Sequence, residues 1–145
     1  MTAAPAAPAT LVPDRQVPEL TRDVVGLAAL FLVSGTTHLV KPDVFEPLVP
    51  RALPVPRGLV YASGIAELAC GVGLLYAPTR RVAGWASAAL LLAVFPGNVQ
   101  MSVSHGKRAA RRQDATSRAT FAATVARLPV QVPLIRAALR AAGRL

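Results

Sequence analysis

Three long apolar stretches that share a single charged residue constrain this chain more than any other feature. They cover residues 24–40, 58–79 and 82–106, and the one Asp, Glu, Lys or Arg within them is Glu67. The three stretches are 17 to 25 residues long, a length that suits the hydrocarbon core of a bilayer, which is about 30 Å thick. We therefore expect helices that cross a membrane.

The composition agrees with that expectation. The chain has 145 residues, the size of one domain. Its mean hydropathy is +0.46, and charged residues make up 16% of it, against about 25% in an average globular protein. These values favour a membrane protein over a soluble domain.

The net charge of +9 raises the possibility of nucleic-acid binding. However, the basic residues lie in the tails and between the apolar stretches, as the flanks of membrane spans require. Attraction to anionic lipid headgroups, worth about 1 kcal/mol per basic residue near the surface, explains them more simply. We expect no nucleic-acid partner. The densest basic group, opposed by Asp114 alone, is Lys107, Arg108, Arg111, Arg112 and Arg118.

The pattern predicts an all-α fold, an integral membrane four-helix bundle. The four predicted helices cover residues 21–40, 57–76, 82–104 and 119–142. Helix 2 is rich in small residues, which let helices approach closely in lipid. The predicted domain is residues 21–142, in the cell membrane with several spans.

A Pro-rich loop is predicted between helices 1 and 2. Residues 41–57 contain five prolines, and a helix does not continue through that density of proline. The loop is also apolar, so we expect it to lie on the bilayer surface or to fold back over the mouth of the bundle.

The N-terminal residues 1–20 form a predicted disordered Ala/Pro-rich tail, which lacks the order of features of a signal peptide.

The single cysteine, Cys70, excludes an intramolecular disulfide and a dithiol pair. Membrane orientation stays open, because eight Lys and Arg residues fall on the loop side and seven on the other.

Polar residues of all four predicted helices converge in one half of the membrane. His38 ends helix 1, and Glu67 lies about ten residues, or roughly 15 Å, into helix 2 from the same side. The remaining members occur late in helix 3 and early in helix 4. The complete predicted polar cluster is His38, Ser63, Glu67, Asn98, Gln100, Thr124, Arg127 and Gln131.

Glu67 and Arg127 are the charged members of this cluster. A charged residue at the bilayer centre costs at least about 2.5–3.5 kcal/mol, so such residues usually face the interior and pair. We therefore expect a Glu67–Arg127 contact, direct or through Asn98, Gln131 or water. The alternative is that these polar residues serve only to lock the register of the helices. We expect no metal site.

Several sequence strings resemble the small DoxX-like membrane proteins of bacteria, part of the DoxX/DoxD group. The resemblance covers roughly residues 24–139. One departure is Gly97, where the family more often has alanine. The strings that carry the resemblance are Gly35-Thr-Thr-His38, Lys41-Pro-Asp-Val-Phe45, Val49-Pro-Arg-Ala-Leu-Pro54, Ser63-Gly-Ile-Ala-Glu67, Gly71-Val-Gly-Leu-Leu75, Phe95-Pro-Gly-Asn-Val-Gln-Met101 and Arg127-Leu-Pro-Val-Gln131.

The resemblance implies a four-helix membrane domain. Proteins of that group are associated with a terminal quinol oxidase, with thiosulfate:quinone oxidoreductase, with oxidative-stress complexes and with membrane-protein assembly. One hypothesis is therefore a redox-associated accessory subunit that binds a quinone or another lipid-like ligand at the polar cluster.

Two further hypotheses remain open. The chain could be a non-catalytic partner or assembly factor for another membrane protein, or could form a homo-oligomer. It could also be a membrane enzyme that uses His38 and Glu67 as acid and base. Burial would raise the pKa of a carboxyl group, whereas a neighbouring Arg would lower it, so the sequence leaves the protonation state of Glu67 open.

Overall fold

The computed structural model describes residues 18–50 and 53–145, and these residues are all-helical. The four α-helices are α1 (Arg22–Val40), α2 (Pro56–Leu75), α3 (Arg80–Arg112) and α4 (Ala115–Ala141). Three short 3₁₀ turns cover Pro42–Val44, Glu46–Leu48 and Ala77–Thr79. Most of the predicted N-terminal tail, residues 1–17, lies outside the described residues.

The helices differ in length in a way that matters for a membrane. At 1.5 Å per residue, the 19 residues of α1 and the 20 of α2 span about 30 Å, the thickness of a hydrocarbon core. Three segments are long and apolar enough to cross a membrane, namely Arg22–Val40, Pro56–Leu75 and Ala77–Arg112. The less apolar α4 is not among them.

The basic segment that we predicted as a loop between helices 3 and 4 is helical instead. The 33-residue α3 continues through Pro96 to Arg112, and α4 begins at Ala115, four residues before its predicted start. Alanine, lysine and arginine are good helix formers, so this charged segment extends the helix rather than ending it. The sequence-based prediction was wrong because it interpreted the change from apolar to charged residues as the end of the helix.

The turn between α3 and α4 is made by two residues. Gln113 adopts a left-handed conformation (φ 55°), the usual way in which a helix ends. The carboxylate of Asp114 then caps α4, because it accepts hydrogen bonds from Ser117 N at 2.7 Å and from Ser117 Oγ at 3.0 Å. These donors hold the pKa of the Asp114 carboxyl below its usual value.

Each helix packs against its neighbours in the chain, and α4 also contacts α1. The helices therefore form a ring in which α2 and α4 are diagonal to one another. The core contains mainly aliphatic side chains, with alanines where α4 approaches. Its larger members are Val24, Leu27, Phe31, Leu74 and Leu91.

Arg80 closes the end of this ring that lies away from the Pro-rich loop. Its buried guanidinium donates to the carbonyl oxygens of Leu74 at 2.8 Å and Leu75 at 3.1 Å, and to that of Pro18 at 2.6 Å. The last carbonyls of a helix have no partner within the helix, so Arg80 caps α2. From the sequence, Arg80 had only the role of a flanking charge.

Two further contacts hold the same end together. An ion pair between Asp23 and Arg140 joins the start of α1 to the end of α4. The Arg144 guanidinium lies 5.8 Å from the centre of the Trp85 ring, within cation–π range. Three arginines thus connect the chain segments at this end.

Gly84 sets the distance between α3 and α4, which leads to a prediction about stability. A Cβ atom at Gly84 would lie 2.5 Å from Ala142 N and 2.7 Å from Ala138 O. Because backbone atoms yield little, we expect Gly84→Ala to lower the free energy of unfolding by about 1–3 kcal/mol. Thermal unfolding of the purified protein in detergent measures the effect.

Gly26→Ala is the matched control, because a Cβ at this helical position would meet no atom within 4 Å. We expect it to be neutral or stabilising, since alanine is the better helix former. Equal destabilisation by the two substitutions would contradict the close approach of α3 and α4.

Candidate functional site

The buried carboxylate of Glu67 is the centre of the candidate site. Glu67 lies midway along α2 and is 6% exposed. Its Oε2 atom lies 3.4 Å from His38 Nδ1, longer than a good hydrogen bond. Among the described residues Oε2 is buried without a hydrogen-bond partner. A buried oxygen of this kind is costly to leave unpaired, so it can accept a hydrogen bond from a further donor.

His38 contributes an imidazole whose proton position follows from its contacts. Nδ1 lies 2.9 Å from the carbonyl oxygen of Ser34. Because a carbonyl oxygen only accepts hydrogen bonds, Nδ1 carries a proton and donates it to Ser34. Nε2 is then the nitrogen that gains or loses a proton. In the protonated state, the imidazolium would compensate the charge of Glu67.

Two glycines make this pairing possible. A Cβ at Gly64 would lie 2.7 Å from His38 Cβ, and one at Gly35 would lie 2.6 Å from the Gly64 carbonyl oxygen and 3.1 Å from Glu67 Cβ. The backbones of α1 and α2 therefore nearly touch at this level. The absence of both Cβ atoms brings the His38 and Glu67 side chains within reach of each other.

The Pro-rich loop covers the site. The Phe45 ring stacks on the His38 imidazole, with 3.9 Å between ring centroids and 28° between planes. At the start of α2, Arg57 lies 3.4 Å from Asp43 and 3.5 Å from Glu46, so its charge holds the loop in place. Of the two positions expected for the loop, the structure shows the one folded back onto the helices.

The direct Glu67–Arg127 contact expected from the sequence is wrong. Among the described residues the ion-pair partner of Glu67 is His38, and Arg127 is exposed. The reason is topological, because α2 and α4 are diagonal in the ring of helices.

The other residues of the predicted polar cluster have separate partners. Ser63 Oγ donates to the Val60 carbonyl at 2.9 Å, and Thr124 Oγ1 donates to the Phe121 carbonyl at 2.7 Å. Both satisfy the backbone of their own helix. Gln131 is buried and joins α4 to α3, because its side-chain amide donates to the Leu91 carbonyl.

Asn98 and Gln100 donate no hydrogen bond to Glu67 Oε2, which has no partner among the described residues. Asn98 is half-buried, and its backbone carbonyl accepts a hydrogen bond from Ser102 Oγ at 3.1 Å. Gln100 is exposed and lines a basic cavity farther along α3. Of the eight predicted residues, the structure brings His38 and Glu67 into direct contact, and the hydrogen bonds of Ser63, Asn98, Thr124 and Gln131 go to other partners.

Sequence reasoning missed Ser34 and Phe45. The spacing of Ser34, four residues before His38 on one helix, could have indicated the first contact. Phe45 had no comparable signal, since its position depends on how the loop folds back.

The described residues contain no group of three His, Cys, Asp or Glu side chains that could hold a metal ion.

The His38–Glu67 contact predicts energetic coupling between the two residues. In a double-mutant cycle with His38→Gln and Glu67→Gln, we expect a coupling energy of about 0.5–3 kcal/mol, because the residues touch inside the protein. Chemical unfolding in detergent provides the free energies. The cycle with Glu67→Gln and Arg127→Gln is the control, and we expect it to be additive within about 0.5 kcal/mol. A larger coupling in the control cycle would restore the Glu67–Arg127 pairing.

Comparison with known proteins assigns the chain to a family. No curated protein and no solved structure matches it. The sequence pattern of one family, described as a domain of unknown function (DUF8561), matches residues 27–142. This range includes the His38–Glu67 site and most of each α-helix. The chain therefore belongs to the DUF8561 family.

Proposed function

We propose that this chain is a multi-pass protein of the cell membrane, a DoxX-like four-helix bundle, which binds a quinone or a similar lipid-soluble ligand at the His38–Glu67 pair. In this proposal it acts as an accessory subunit of a redox complex. The observation that carries the ligand proposal is the buried Glu67 Oε2 atom beside the His38 imidazole, which receives no hydrogen bond from any residue that the structure describes.

The outer surface of the helices supports membrane insertion. Large aliphatic side chains project outward along the helices, with Val33 68% and Val82 72% exposed. Soluble monomers rarely expose apolar patches of more than a few hundred Å². In a bilayer, lipid chains would cover these faces. Val130 and Val132 on α4 are exposed in the same way, although the same helix also exposes Arg127.

The chemistry of the pair suits a quinone and its reduced quinol. The hydroxyl group of a quinol could donate to Glu67 Oε2, and a quinone carbonyl could accept from Nε2 of a protonated His38. Both side chains lie among apolar helices, as in most small-ligand sites, where a few polar groups orient a ligand held by apolar walls. The resemblance to DoxX-like proteins, a group associated with a quinol oxidase and with thiosulfate:quinone oxidoreductase, points to the same ligand class.

The four-span topology predicts where introduced cysteines react. In a Cys70→Ala background, we expect Ala110→Cys and Leu145→Cys to react with a membrane-impermeant maleimide from opposite sides of the membrane, because α4 would cross between them. Glu19→Cys is the control and should react from the same side as residue 145, since Asp23 and Arg140 pair. Labelling of positions 110 and 145 from one side would exclude α4 as a span.

The ligand proposal predicts quinone binding that depends on the pair. We expect a short-chain quinone to raise the melting temperature of the purified protein, and His38→Gln or Glu67→Gln to weaken its Kd about tenfold or more. A hydrogen bond to a charged group contributes about 1.5–3 kcal/mol, which corresponds to that change.

His105→Gln and Glu19→Gln are matched controls, because they remove the same chemical groups elsewhere in the chain. Equal weakening by the control variants would contradict a site at the pair. The absence of any quinone effect on the unsubstituted protein would instead favour the role of a non-catalytic partner.

A further inference from the structure

The C-terminal part of α3 carries a cavity with a strongly basic lining. The cavity has a volume of 530 Å³ and is open to the outside. Its residues repeat at intervals of three and four along α3, so they occupy one side of the helix. The lining residues are Gln100, Ser104, Lys107, Arg108, Arg111 and Arg112.

The four cations of this cavity are not held in ion pairs within the part of the chain that the structure describes. The acidic residue nearby is Asp114, which lines a neighbouring cavity with Arg108 and Arg112. Its carboxylate already accepts two hydrogen bonds from Ser117. The cavity is therefore electrostatically suited to an anion.

The level of the cavity along α3 follows from two contacts. Arg80 at the start of α3 caps the end of α2, and a 30 Å hydrocarbon core measured from there ends about 20 residues later, near Gln100. At the same level, the Leu48 carbonyl oxygen would lie 3.8 Å from a Cβ at Gly97, so the Pro-rich loop lies there too. The cavity thus begins where lipid headgroups would begin.

An apolar stripe leads along α3 to Lys107, at one edge of the cavity. Val99 and Val103 are exposed, and Lys107 follows at the same spacing of four residues, so the three share one face. Leu92, seven residues before Val99, extends this face and is also exposed. An acyl chain could lie along the stripe with its headgroup between the cations. Long basic side chains can also bend back toward the headgroup layer.

We propose that this cavity is a binding site for the phosphate headgroup of an anionic phospholipid. The combination of an apolar stripe with a basic cavity favours a lipid over free phosphate or a nucleic acid, neither of which would use the stripe. The inference rests on the membrane insertion in the proposed function, and it is independent of any ligand at the His38–Glu67 pair.

The test compares two double variants that remove equal charge. The protein is purified, placed in phosphatidylcholine nanodiscs and titrated with phosphatidylglycerol, and bound lipid is counted by native mass spectrometry. We expect Arg108→Gln/Arg111→Gln to weaken phosphatidylglycerol binding about 30-fold, because each cation near the surface contributes about fivefold. Arg118→Gln/Arg136→Gln, two exposed arginines outside the cavity, should bind like the unsubstituted protein.

Equal weakening by both double variants would overturn the proposal, because only net charge would then matter. Binding of inorganic phosphate or of a short DNA duplex with the same dependence on Arg108 and Arg111 would overturn it in favour of those ligands. The cysteine-labelling experiment tests membrane insertion separately. If cysteine labelling shows that the chain is inserted, but phosphatidylglycerol binds the unsubstituted protein no more tightly than it binds Arg108→Gln/Arg111→Gln, then the lipid site is wrong and membrane insertion stands.

Discussion

The close approach of α1 and α2 at Gly35 and Gly64 is the constraint on which the candidate site depends. Because the two helix backbones nearly touch at this level, the side chains next to the contact lie close to each other. His38 and Glu67 are two such side chains, with 3.4 Å between His38 Nδ1 and Glu67 Oε2. A methyl group at either glycine would separate the helices and, with them, the acidic and basic groups. The small residues thus determine the polar chemistry, although they contribute no polar atom.

The two ends of the molecule differ in how they are held together. At one end, Arg80, Arg140 and Arg144 connect the helices through a helix cap, an ion pair and a cation–π contact. At the other end, α1 and α2 stop at the Pro-rich loop while α3 and α4 continue beyond it. The first end is closed by directional contacts, whereas the second carries both candidate binding sites, the His38–Glu67 pair and the basic cavity.

Much of the secondary structure was predictable from the sequence, but the partner of Glu67 was not. Apolar runs and prolines placed the two boundaries of the first loop within a residue or two of those observed, Val40 and Pro56. The end of α3 was misplaced, because charge was interpreted as a loop signal. The direct contact with Arg127 was wrong because the sequence gives the depth of a residue along its helix but not which helices are adjacent. Two residues at one depth can still lie on diagonal helices, as Glu67 and Arg127 do.

The sequence by itself determined that the chain is helical, that three of its helices are long and apolar enough to cross a membrane, and that Glu67 lies among apolar residues. These properties follow from composition and periodicity, which are local. The tertiary structure alone decided that His38 is the neighbour of Glu67, that Phe45 covers them and that Arg80 caps α2. These three contacts depend on which helices are adjacent and how closely they pack. Adjacency follows from the contacts among all four helices, so it cannot be read from any one segment of the sequence.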